Sequence, residues 1–313
     1  HRVPFVSKPN GDAKKELSYV AESGADLVFM LERWSKDEKY RADAKEHGFI
    51  LQEKKVGCEM GASGWFGPSG WSQYWEEAFE YKKLYAGDSG PNTGEQGTCT
   101  RFVSDSKLAD LVLKPLTKKL HEIQFVGNVN VNCIIDEEGV PWPLEFTMRD
   151  GWPARYNEIS LQEGDPVQWM LDLVNGKDTM RVRENAVSIS VVVTIPDYPF
   201  STYTGKKVEG IPIYGAGDRE HVHLCEVMLA DSVPTQMGDK IVYVPGYVTA
   251  GDYVMVITGT GETITGARRS AYAALEKVKI PNSPGWRPDI GKGKLVTTLP
   301  KIQKHGYATD LSF

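Results

Sequence analysis

The run Gly87-Asp88-Ser89-Gly90-Pro91-Asn92-Thr93-Gly94-Glu95-Gln96-Gly97 constrains this chain more than any other segment. Four glycines and a proline surround Asp88, Asn92 and Thr93, with almost no apolar side chain among them. A stretch without an apolar face gains nothing from burial, so packing does not account for it. Glycine lets backbone N–H groups approach a ligand closely, and neighbouring amides and hydroxyls can gather around an anion. The competing reading is a Gly/Pro surface turn.

A length of 313 residues exceeds one average domain, so two or three are expected. Hydrophobic content of 41% and charged content of 25% fit a soluble globular fold with real cores. A net charge of −6 and the lack of any dense Lys/Arg block argue against a nucleic-acid partner. No apolar run approaches the roughly 20 residues of a membrane span, so no membrane partner is expected. Cys58, Cys99, Cys133 and Cys225 lie far apart without a C-x-x-C pair. Neither a zinc site nor a dense disulfide framework fits them, and the cytoplasm is the default compartment. The chain opens on His1 rather than Met, so a missing targeting signal carries little weight.

Apolar periodicity predicts a strand over residues 2–7, a helix over 13–23, and buried strands over 27–31 and 49–52. Residues 61–75 read as a long surface loop whose tryptophans (Trp65, Trp71, Trp75) either pack against their own domain or line a binding surface. A helix over 108–123, strands over 126–135 and 143–146, and a helix over 167–174 follow. From residue 186 the pattern changes to short β-like runs, then a helix with Ile264, Ala267, Ala271, Ala274, Leu275 and Val278 on one stripe. The tail after Gly291 shows little periodicity and reads as a surface arm.

GDSGPNTGEQGT closely resembles the GDTGPNTGGMG loop of phosphoribosylamine–glycine ligase, an ATP-grasp enzyme of purine synthesis. Further segments follow in the same order. ILQEKKVGCEMG resembles IEEFLDGEEFS, EYKKLYAGD resembles DHKRVGDGD, LEFTMRDG resembles LEFNVRFG, and WRPDIG resembles YRRDIG. The resemblance spans Lys8 to Gly291. It implies an α/β (α+β) class: an ATP-grasp fold with a C-terminal β-rich domain. The implied division is a partial lid over 1–62, a core with the metal site over 63–182, the β-rich domain over 183–292 and a tail over 293–313.

The resemblance also implies roles. Glu53 and Glu59 fall on the segment that contacts the nucleotide, while Lys8 and Lys82 fall where lysines reach its phosphates. Lys14 stands in for a loop lysine in a shortened glycine-rich loop. Asp88, Asn92 and Thr93 keep the substrate loop, and Arg149 keeps a guanidinium fork suited to acyl-phosphate oxygens. Glu145 and Thr147 occupy the magnesium (or manganese) positions, with threonine replacing the family's asparagine. Magnesium takes hard oxygen ligands, so one or two protein groups plus nucleotide phosphates suffice.

Departures are equally informative. The acids of the family's GDPE segment are replaced at Trp152 and Ala154, and its FHAGT signature by residues 227–231. The family's N-terminal domain has no counterpart in this sequence, which leaves open a fragment or a ligase reduced to its later domains. The implied activity is ATP-dependent joining of a carboxylate such as glycine to an amine, with small molecules as partners. Two alternatives stay open: the same chemistry on a different amine, and a nucleotide-binding relative without turnover.

Overall fold

All strand pairings among the described residues, 5–10, 18–200, 208–281 and 284–313 of this computed structural model, are antiparallel. The chain forms two compact units, residues 1–57 and 58–313.

In the first unit β1 (Phe5–Pro9) lies between β2 (Tyr19–Val20) and β3 (Phe49–Glu53). Helices α1 (Gly24–Ser35) and α2 (Glu38–His47) connect β2 to β3. The apolar run 27–31, expected as a strand, is part of α1. Its start is decided by a capping box: the Asp26 N–H donates to Ser23 Oγ (3.3 Å) and the Ser23 N–H to the Asp26 carboxylate (2.6 Å). Each bond satisfies a donor that a helix start would otherwise orphan. Val28 and Phe29 stay exposed, so the run is not buried as a strand core would be. Of the helix expected over 13–23, residues 13–17 lie outside the described residues, and 19–20 form β2. A cavity of about 400 Å³ opens between α1, α2 and the strand ends, against Leu31, Trp34, Tyr40 and Phe49.

The second unit is built on an eight-stranded sheet. Its strands are β4 (Cys58–Gly67), β5 (Gly70–Glu80), β8 (Gly97–Val103), β9 (Gly127–Ile135), β10 (Pro141–Thr147), β11 (Val187–Thr194), β13 (Val222–Leu224) and β16 (Tyr253–Gly261). They run in the order β10-β9-β4-β5-β8-β11-β16-β13. Because β8 pairs with β11, the expected division at 182/183 falls within one continuous sheet. A ribbon of β6 (Lys83–Tyr85) and β7 (Ser89–Asn92) carries the glycine-rich run. A separate small sheet holds β12 (Pro212–Ile213), β14 (Val227–Met237) and β15 (Lys240–Thr249).

Residues 61–75, expected as a loop, form most of the β4–β5 hairpin. Their glycines make room for the tryptophans: a Cβ on Gly64 would stand 2.5 Å from the Trp75 ring. The helix expected over 108–123 is broken into α3 (Lys107–Val112), a short 3-10 turn (Lys114–Leu116) and α4 (Thr117–Glu122). Pro115 causes the break, since proline lacks the N–H and its ring clashes with the preceding turn. All four cysteines are unpaired. No helix among the described residues is long and apolar enough to cross a membrane.

One sheet face is apolar, with Met60, Ala62, Cys99, Val129, Val131 and Ile189 in the main core. It is covered by α3, by α7 (Ile264–Leu275) and by α8 (Lys294–Gln303). Helix α7 lies so close to β16 that a Cβ on Gly259 would meet the Ala271 nitrogen at 2.1 Å. The tail is therefore no surface arm, because α8 buries Leu295, Leu299 and Ile302. Leu299→Ala should destabilise the fold by about 2–5 kcal/mol, the usual cost of emptying a buried leucine site. Urea denaturation measures this, and a loss within experimental error would return the tail to the surface.

Candidate active site

The opposite sheet face is polar and buried. Antiparallel partners share a face, so Asn130 on β9, Ser63 on β4 and Glu76 on β5 stand in one row. Thr98 and Thr100 on β8 face Ser190 and Ser188 on β11. Helix α5 (Ala154–Leu161) packs against β8, β11 and β16 on this side. Its Asn157 is fully buried and donates from Nδ2 to the Thr98 carbonyl (3.2 Å), Thr100 Oγ1 (3.1 Å) and Ser190 Oγ (3.1 Å). The Ser188 hydroxyl donates back to Asn157 Oδ1 (2.8 Å). One turn on, Ser160 Oγ donates to Thr258 Oγ1 (3.0 Å).

Charge collects where β4 and β5 leave this face. Lys82 Nζ lies 2.9 Å from Glu59 and 3.1 Å from Glu80. Burial alone would lower the lysine's pKa, but the two carboxylates outweigh it and keep the ammonium charged. Asn132 Nδ2 donates to Glu80 (2.9 Å). Nearby, Ser63 Oγ donates to Glu76 (2.5 Å), and Arg155 on α5 pairs with Glu158 (2.7 Å) and Asp150 (3.5 Å). Burial pushes the Glu158 carboxyl well above its ordinary range, and Glu76 pushes the same way. Burial, reinforced by Glu158, raises Asp150 to about 7.

The structure brings Glu59 and Lys82 together, and Thr93 joins them. Both the Thr93 hydroxyl and its backbone N–H donate to the Lys82 carbonyl (2.8 Å each). Asn92 is exposed on β7. The Asp88 carboxylate is held by Arg287 (2.9 Å) and Lys294 (3.2 Å), which ties the ribbon to the WRPDIG segment. Glu145 is exposed on the edge strand β10, opposite Asn132, and Thr147 lies opposite Asn130. Arg149 is exposed just beyond β10 and donates to the Asp150 carbonyl (2.8 Å). In the first unit, Lys8 lies on β1 opposite Ile50, and Glu53 pairs with Lys55 (2.9 Å). Lys14 lies outside the described residues.

Among the described residues no three His, Cys, Asp or Glu side chains gather as a metal cage. The donors present still fit magnesium, which needs few protein oxygens beside phosphates. Glu145 offers a carboxylate, Thr147 a hydroxyl, and Asn132 a buried Oδ1 with no hydrogen-bond partner.

Trp152 is 49% exposed, edge-on to Tyr156 (4.9 Å between centroids), whose ring stacks on His223 (4.7 Å). Ala154 is 1% exposed at the start of α5, so restoring an acid there would bury a carboxylate. Sequence reading missed Glu76, Glu95, Asp150, Asn157 and Glu158. The alternation Asn128-Val129-Asn130-Val131-Asn132 was the available signal, since a polar residue at every second position marks a polar sheet face.

Asp150 generates a pH prediction. Its folded value near 7 exceeds its ordinary 3.8, so between those values the folded chain holds the extra proton. Stability should therefore fall as pH rises through that window, with a slope of up to about 1.4 kcal/mol per pH unit per group. Asp150→Asn should flatten the slope in urea denaturations run at successive pH values. Identical slopes would show that Asp150 ionises freely in the folded state.

No family model matches the chain. Curated relatives are phosphoribosylamine–glycine ligases. That of Salmonella typhimurium is 27% identical over 222 residues, covering 66% of this chain and 49% of its own length. That of Listeria innocua is 25% identical over 305 residues, covering 92% of this chain and 66% of its own length. The chain thus spans about half the length of the first of these relatives. Among solved structures, the phosphoribosylamine–glycine ligase of Thermotoga maritima superposes with a TM-score of 0.70 at 23% identity, over 91% of this chain and 68% of that one. The biotin carboxylase domain of Hydrogenobacter thermophilus 2-oxoglutarate carboxylase, solved with MgADP and bicarbonate, gives a TM-score of 0.54 at 12% identity, over 90% and 58%. The chain is therefore a divergent relative of the phosphoribosylamine–glycine ligases, built on the ATP-grasp fold.

Proposed function

We propose that the chain works as an ATP-dependent carboxylate–amine ligase. ATP phosphorylates a carboxylate such as glycine to an acyl phosphate, which an amine then attacks. The observation that carries this reading is the Lys82 ammonium, fixed between Glu59 and Glu80 just beyond β5 and beside the Thr93 loop. A preorganised cation in a water-poor site stabilises a transferring phosphoryl group without reorganising at the moment of reaction. Arg149 supplies a second cation, with part of its fork left over for phosphate oxygens. Bound magnesium would add charge neutralisation and orientation, held by Glu145 with Thr147 and Asn132.

The same reading sets phosphoribosylamine apart as a poor co-substrate. Asp150, Glu158 and Glu76 cluster around a single paired Arg155, next to the exposed aromatic Trp152. Arg155 is already paired there, so such a wall offers a sugar phosphate dianion little positive charge, and the sugar's polar groups gain little from an indole face.

Glu145→Gln should weaken Mg·ATP binding about tenfold or more by titration calorimetry, consistent with loss of a carboxylate metal ligand. Lys82→Met should lower Mg·ATP-dependent ADP release by about 10²-fold or more, the scale of removing one transition-state charge contact. Unchanged affinity in the first and unchanged turnover in the second would remove the ligase reading.

A further inference from the structure

Glu95 has no counterpart in the resemblance that identified its loop, where the family carries glycine. It is 4% exposed, and its Oε1 has no hydrogen-bond partner. Buried polar atoms are seldom left unpaired, and a glycine-rich loop has no structural need of an acid. The backbone fixes its place on both sides. The Thr93 N–H donates to the Lys82 carbonyl (2.8 Å) and the Gln96 N–H to the Tyr81 carbonyl (2.7 Å). The Gln96 side chain donates to Thr93 Oγ1 and to the Tyr198 hydroxyl (3.2 Å each).

The groups facing Glu95 are Glu59 from β4, Glu76 and Glu80 from β5, Lys82 just beyond β5, and Tyr253 from β16. Lys82 is already shared by Glu59 and Glu80, so it leaves the Glu95 oxygen unmatched. The Tyr253 hydroxyl is also buried without a partner by geometry, although the Trp152 indole lies near it. A cationic N–H donor is the chemistry this arrangement lacks.

On the ligase reading above, we propose that Glu95 receives the amine co-substrate: its carboxylate binds the incoming ammonium group and takes one proton from it. The neutral amine's lone pair then forms the N–C bond to the acyl phosphate. The C–O bond to phosphate breaks, and phosphate leaves with that electron pair. The second amine proton departs with phosphate, and Glu95 returns its own to water. The co-substrate class is accordingly a basic amine, one that is an ammonium ion at neutral pH. Burial, with Glu80 adding to it, holds the Glu95 carboxyl well above the usual carboxylate range. That brings it closer to an ammonium proton donor, which favours transfer.

The test compares the full chain with its Glu95→Gln variant, which keeps side-chain length and amide volume. Both are given Mg·ATP and glycine or another common amino acid, with either hydroxylamine or methylamine as nucleophile. Hydroxylamine traps acyl phosphates without needing a base. The variant should form hydroxamate at the wild-type rate while its methylamine-dependent ADP release falls by about 10²–10⁴-fold. The wild-type rate should rise with pH as Glu95 ionises, and the variant should lose that rise. Equal loss of both reactions would make Glu95 a structural residue, and retention of both would make it a bystander; either overturns the proposal. If the wild-type chain forms no hydroxamate with any amino acid, the ligase reading itself fails, and the role of Glu95 with it.

Discussion

A sheet face lined with Asn, Ser, Thr and Glu cannot be buried under an ordinary apolar helix, because each unmatched polar atom costs its desolvation. Here α5 meets part of that constraint through Asn157, while Glu76, Thr98, Asn128 and Asn132 each keep a buried oxygen without a partner. Asn157 uses both ends of its amide on β8 and β11, so the helix is docked by hydrogen bonds as well as by its buried Ala154 and Leu161. The sheet's other face is free to be conventional, with α7 lying over Gly259 at backbone distance. The division of labour is clear: one face supplies stability, and the other holds polar chemistry in a fixed frame.

Electrostatics in that frame are unbalanced toward acid. Lys82 and Arg155 are the cations drawn into it, and each is shared by two carboxylates. Several of the carboxyls are pushed toward the neutral form by burial, which is how so many can coexist. Magnesium and ammonium are the kinds of ligand such a face attracts. The glycine-rich ribbon is kept in position from behind, since the buried Arg287 grips Asp88 and Asp289 together. Asp88 therefore contributes to the site through the ribbon it anchors.

Resemblance to the phosphoribosylamine–glycine ligases is close in the glycine-rich run and departs near the start of α5. Trp152 and Ala154 take the place of acids, whereas Asp150 and Glu158 supply carboxylates on either side of the same segment. Acidity has moved by a few positions rather than disappeared.

Much was legible in the chain alone. Short apolar runs bounded by turn residues located β9, β10, β11 and β16. Ordered motifs singled out Glu59, Lys82 and Thr93, which the fold brings side by side. Short-range signals were less decisive: the 27–31 run looked like a strand until the Ser23–Asp26 capping box made it helical. Tertiary structure alone decided the rest. The tail became core because α8 meets an apolar sheet face contributed by residues far earlier in the chain. Glu76 and Glu158 became a buried acidic pair because a strand and a helix separated by some eighty residues cross at that point. Local sequence sets what each segment can form, but burial and pKa depend on what long-range packing places beside it.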